Sequence, residues 1–117
     1  MTLDEVVREL ALDVAVGSDR LDTTEVTGAY VGDLLSRVMA RVRPGNLWVT
    51  VQAHPNVIAV AVLSELAGVI IAEGVDPDPL AVRKAASEGV PLLTTRQTAY
   101  ATCAGLTRLG IGDPIAG

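Results

Sequence analysis

At 117 residues the chain has room for one domain, large enough to bury a core of its own. Its mean hydropathy of +0.41 is high, yet no uncharged apolar run nears the ~20 residues of a membrane span, and the acidic start Thr2-Leu3-Asp4-Glu5 is unlike a signal peptide, so a cytoplasmic protein with no membrane contact is expected. A net charge of −5, a single lysine and 3% aromatic residues argue against nucleic-acid binding, and the lone Cys103 excludes an internal disulfide.

The first element follows from a capping box. Thr2 and Glu5 frame the turn, and Leu3, Val6, Val7 and Leu10 keep helical spacing, which predicts a helix over 2–10. A short strand over 12–16 and the turn Gly17-Ser18-Asp19 come next. Thr23-Thr24-Glu25-Val26-Thr27 is rich in β-branched residues and reads as a second strand, closed by Gly28. Asp33 is placed to cap a helix through Val42 that holds Leu34, Leu35, Val38 and Met39, and Pro44-Gly45-Asn46 stops it. Arg37, Arg41 and Arg43 gather near its end, where cations complement the helix dipole.

From there strands and helices alternate. Strand 47–52 leads to helix 55–67, and strand 69–73 leads through Asp76-Pro77-Asp78-Pro79 to a helix ending at Glu88. Strand 90–94 and a helix over 96–109 follow, and residues 110–117 read as a frayed tail. Three strands separated by two helices make a right-handed βαβαβ unit. The expected fold class is therefore α/β: a mostly parallel sheet of about five strands flanked by helices, in one domain over 1–117.

Parallel strands would line up their C-terminal ends along one edge. That edge gathers Gln52, His54 and Asn56 from the first corner, Glu73 and Asp76 from the second, and Thr94, Thr95, Arg96 and Gln97 from the third. Helix starts there offer backbone N–H groups to an anion, so Gln52, His54, Asn56, Glu73, Thr94, Thr95 and Arg96 form the candidate ligand site. The competing reading makes them turn formers, with Asn56 and Thr95 as helix caps. His54 is the only histidine and has no partners for a metal site; a proton-transfer pair with Glu73 or Asp76 is the catalytic alternative. Neither a metal nor a cofactor is expected. The phosphate-loop signature needs a lysine after a glycine loop, and the one lysine, Lys84, lies mid-helix. Cys103 reads as a packing residue.

The helix after the first corner carries seven consecutive residues, Val57 to Leu63, without a polar side chain. A helix apolar all round must be covered on more than one side, which points to a homodimer with Val57, Val60, Val62 and Leu63 at its interface.

Several runs carry a family resemblance: Val26-Thr27-Gly28, Val31-Gly32-Asp33-Leu34-Leu35-Ser36, Pro44-Gly45-Asn46-Leu47-Trp48-Val49-Thr50, Gly68-Val69-Ile70-Ile71 and Gly89-Val90-Pro91-Leu92-Leu93-Thr94-Thr95. In order and spacing they resemble the DRTGG-domain family over about residues 2–110. The family's name comes from an Asp-Arg-Thr and a Gly-Gly, where this chain has Ala53-His54-Pro55-Asn56 and Glu73-Gly74, so no ligand role is carried over from those letters. The resemblance implies an accessory α/β module of the kind found in some phosphotransacetylases and beside the CBS pair of certain inorganic pyrophosphatases. A similar fold forms the N-terminal part of HPr kinase/phosphorylase, whose phosphate-binding loop lies in its other domain. Stand-alone relatives tend to lie near iron-only hydrogenase genes, which implies a redox-linked, hydrogenase-related regulatory system. The expected function is a non-catalytic regulatory or dimerisation module. The alternative is a sensor of a nucleotide or other anion at the strand-end edge, and an enzyme ranks last.

Overall fold

The computed structural model describes residues 1–113. Its elements run α1 (Leu3–Glu9), β1 (Asp13–Val16), β2 (Gly28–Val31), α2 (Leu35–Arg41), β3 (Asn46–Thr50), α3 (Asn56–Leu63), β4 (Gly68–Ile71), α4 (Pro79–Glu88), β5 (Leu92–Thr94) and α5 (Ala99–Arg108). The strands form one five-stranded sheet in the order β1-β5-β4-β3-β2. β2, β3, β4 and β5 are mutually parallel, and β1 joins antiparallel to β5. The expected α/β class and the βαβαβ unit β3-α3-β4-α4-β5 are both present.

Alternation along the strands builds two cores at once. Leu47 and Val49 of β3, with Ile70 and Leu93, pack toward α1 and α5 against Leu3, Val6 and Leu106. Trp48, Val69, Ile71 and Leu92 point the other way, toward α2, α3 and α4. A sheet buried on both faces needs continuous apolar strands, and all five residues of β3 are buried. The two polar members are paired: Asn46 joins Thr27 and the Arg43 N–H, and the Thr50 hydroxyl donates to Asp33. The indole N–H of Trp48 donates to the Gly32 carbonyl at 2.8 Å.

Three local expectations change. Residues 23–27 form no strand pair beyond a single Thr2–Glu25 bridge; β2 starts at Gly28. The Thr23 and Thr24 hydroxyls donate to the Arg20 carbonyl, and Leu3 N–H donates to Thr24 O, so the segment wraps the start of α1 instead. Asp33 does not cap α2, which begins after Leu34 without a side-chain cap. Its carboxylate accepts from the Thr50 hydroxyl at 2.6 Å and Val51 N–H at 2.9 Å, tying the β2 exit to the end of β3. The segment after α5 is partly ordered against the fold: Ile111 is buried, and the Gly112 carbonyl accepts from Ala29 N–H on the open edge of β2. The remainder of the expected tail, 114–117, lies outside the described residues.

Helix α3 sits between α2 and α4 and against the sheet, so its apolar surface finds cover from three sides inside the protomer. Val57, Ile58, Val60 and Ala61 are buried, while Val62 and Leu63 remain 42% and 73% exposed. Of the four residues expected at a dimer interface, Val57 and Val60 therefore belong to the protomer's own core. The total accessible surface of 6097 Å² matches the roughly 6,000 Å² that size scaling gives for a folded monomer of this mass.

Trp48→Phe keeps most of the packed volume and removes the indole donor. It is expected to cost about 1 kcal/mol, because a part-buried carbonyl loses its partner. Urea unfolding followed by circular dichroism reads this as a lower midpoint at unchanged slope.

Candidate functional site

The C-terminal ends of β3, β4 and β5 meet at one edge, as parallel pairing requires. At the first corner the Gln52 N–H donates to the Thr50 hydroxyl, and its side-chain amide donates to the Asp33 carbonyl. His54 Nδ1 accepts from Asn56 N–H at 3.0 Å, so the neutral ring carries its proton on Nε2. The histidine, not Asn56, meets the first free donor of α3, and the Asn56 side chain stays in solvent.

The second corner bends sharply. Glu73 and Gly74 both take left-handed backbone conformations, with φ of +66° and +71°. Two of their bonds fasten this bend to the third corner: Glu73 N–H to Gln97 O at 2.8 Å, and Gly74 N–H to Thr95 O at 3.0 Å. Outside glycine such φ values cost about 1–2 kcal/mol. The Glu73 carboxylate offsets the cost by accepting from Ala99 N–H at 3.0 Å, the first residue of α5. A negative group there also meets the positive end of the helix dipole.

At the third corner Thr95 is buried and accepts from Gln97 N–H, forming a turn rather than a helix cap. The cap of α5 is Thr98, which accepts from Ala101 N–H at 3.0 Å; Asp78 does the same for α4 through Leu80 N–H at 2.8 Å. Each of the three helix starts at this edge thus has a backbone donor taken by a side chain of the chain itself.

These residues divide into two groups. Glu73, Thr94, Thr95 and Arg96 line a cleft of about 510 Å³ together with Asp13, Gly74, Val75 and Asp76. Gln52, His54 and Asn56 are not among its lining residues. Asp13 was not foreseen from the sequence: it enters because β1 pairs antiparallel with β5, setting Asp13 opposite Thr94. Asp13, Glu73 and Asp76 against Arg96 give the cleft a formal charge of −2 (three carboxylates, one guanidinium), which repels an anion. Neither Glu73 nor Asp76 is hydrogen-bonded to His54 among the described residues, so no proton-transfer pair is assembled. Among those residues no group of three or more His, Cys, Asp or Glu side chains is placed to hold a metal ion, and no helix is long and apolar enough to cross a membrane. Cys103 is half-buried in α5, and burial pushes its thiol up from the usual range.

A family model, the DRTGG domain, matches residues 5–109. The chain belongs to the DRTGG-domain family. The fold is similar to that of a crystal structure, the CBS and DRTGG domains of the regulatory region of Clostridium perfringens pyrophosphatase complexed with its activator, diadenosine tetraphosphate. That likeness has a TM-score of 0.69 at 13% identity and covers 88% of this chain. The chain spans 44% of that structure's length. No curated protein matches. In the Glu73-Gly74 bend both positions hold the conformation that suits glycine, although only the second is one.

Two substitutions at Glu73 separate its two contributions. Glu73→Ala removes the carboxylate and keeps the strain, with an expected loss of about 0.5–2 kcal/mol. Glu73→Gly removes both and is expected to be more stable than the alanine variant by about 1 kcal/mol. Thermal melts of the two proteins side by side give the order.

Proposed function

We propose that this DRTGG domain is a non-catalytic regulatory module that acts as a pair of copies in a reducing cytoplasm, within a redox-linked, hydrogenase-related system. The observation that carries the pairing is the last turn of α3. There Val62 and Leu63 stand 42% and 73% exposed beside the exposed Ala59, a contiguous apolar stripe on one helix. The self-capped helix starts favour a module over an enzyme, since the groups that would hold a reacting anion hold the chain's own corners. The similar DRTGG domain lies in the regulatory region of a larger protein, and this supports regulation. Support for the redox setting comes from the resemblance to stand-alone relatives, and for the compartment from the single cysteine.

A second reading, a small-ligand sensor, has its own observation. Arg96 lines the polar cleft with no ion pair among the described residues, and the similar pyrophosphatase region was crystallised with a nucleotide activator. The three carboxylates weigh against a highly charged anion, so a ligand here would be held more by its hydroxyl or amine donors than by phosphate.

Sedimentation velocity across a wide concentration range tests the pairing. The wild type is expected to gain mass with concentration, and Leu63→Asp is expected to stay monomeric with stability changed by no more than about 0.5 kcal/mol, since the side chain is mostly exposed. Val60→Asp, by contrast, buries an unpaired charge and is expected to unfold the domain. A mass that stays monomeric throughout would end the pairing reading. For the sensor, a bound ligand at 100 times its dissociation constant adds ~2.7 kcal/mol, and melts against nucleotides and phosphorylated metabolites would show it for the wild type and not for Arg96→Ala.

A further inference from the structure

We propose that the two copies pair through the groove between α3 and α4, about a two-fold axis that sets Lys84 of one copy against Glu88 of the other. This rests on the pairing proposed above and assigns it a face. The groove has a volume of about 360 Å³ and is lined by Ala59, Val62 and Leu63 from α3 and by Lys84 and Glu88 from α4. Its floor is apolar and its rim carries one charge of each sign.

The rim decides what fits. Lys84 and Glu88 are four residues apart on α4 and share one side of the helix. Neither side chain has an ion pair or hydrogen bond among the described residues, with each other or with any third group. A lysine preceding a glutamate is the less favourable order for pairing within a helix. Glu88 is also the last residue of α4, where its carboxylate faces the negative end of the dipole. A cation arriving from outside offsets that repulsion and supplies the partner that Lys84 does not.

A purely acidic partner would satisfy Lys84 and oppose Glu88, and a purely basic one would do the reverse. A second copy supplies both signs in the required places. A two-fold axis across α4 runs the two helices antiparallel, and a contact of Lys84 with Glu88 on one side repeats as Glu88 with Lys84 on the other. The same approach covers Val62 and Leu63 with their counterparts and thins the water around both ion pairs.

The face is small. A helix of 10 residues is about 15 Å long, and two neighbouring helices offer less than the ~800 Å² per partner of a standard interface. The association is accordingly a weak one that appears at high concentration.

Charge reversal with mixing is the test. Lys84 is the only lysine in the chain. Lys84→Glu gives a rim with two acids and Glu88→Lys gives a rim with two bases. Both positions are exposed, and circular dichroism melts verify that each variant folds. Sedimentation velocity is expected to show the wild type associating, each variant alone monomeric at the same concentration, and an equimolar mixture associating again. Carbodiimide treatment of mixed unlabelled and nitrogen-15 wild type is expected to give a Lys84–Glu88 cross-link between labelled and unlabelled peptides. If the variants alone associate as well as the wild type, the copies pair through another face: the assignment falls and the pairing stands. If the variants are monomeric and the mixture stays so, the cross-pairing of charges is overturned. A wild type monomeric at every concentration overturns both.

Discussion

The burial of β3 on both faces is the constraint on which the structure rests. Its five residues have no water on either side, so helices must cover the sheet twice, and the alternation of Leu47, Trp48 and Val49 divides the chain into two cores. The right-handed crossovers put α2, α3 and α4 on one face, which leaves the other to α1 and α5. β1 then closes the sheet from the far side by pairing antiparallel to β5. Even the buried polar groups of β3 follow from this, because Asn46 and Thr50 sit where neighbouring loops can satisfy them.

The same geometry collects three strand ends on one edge and three helix starts beside them. In many α/β proteins such an edge is where a ligand meets free backbone donors. Here His54, Asp78, Glu73 and Thr98 each occupy one of those donors. Glu73 is the most telling, since it accepts an unfavourable backbone conformation and places a carboxylate on the start of α5. The corners of the edge are thereby tied to one another, and the cleft beside them carries a formal negative charge.

What remains open lies elsewhere. With α2 and α4 on its flanks, α3 buries most of its apolar surface, and among its apolar residues the stripe Ala59, Val62 and Leu63 stays exposed. An isolated exposed leucine needs no explanation. Leu63 gains significance from its setting, beside Val62 and between a lysine and a glutamate that leave each other unpaired. The groove proposed for pairing and the edge that ligands usually use are different parts of this domain.

The sequence by itself determined the α/β class, the alternating strands and helices after Pro44, and membership in the DRTGG family, because hydrophobic period and turn residues are local signals. It also brought Glu73, Thr94, Thr95 and Arg96 together, since parallel topology alone puts strand ends side by side. It misplaced β2 because β-branched threonines spent their hydroxyls on a nearby carbonyl, a competition that propensity does not see. It misassigned Asp33, whose partners Thr50 and Val51 are far along the chain, and it passed over Asp13, which reaches the cleft through a pairing no local pattern encodes. Only the tertiary structure decided how much of α3 was left uncovered. Whether an apolar side chain is core or surface depends on which other elements arrive beside it, and that is a property of the packing rather than of the residue.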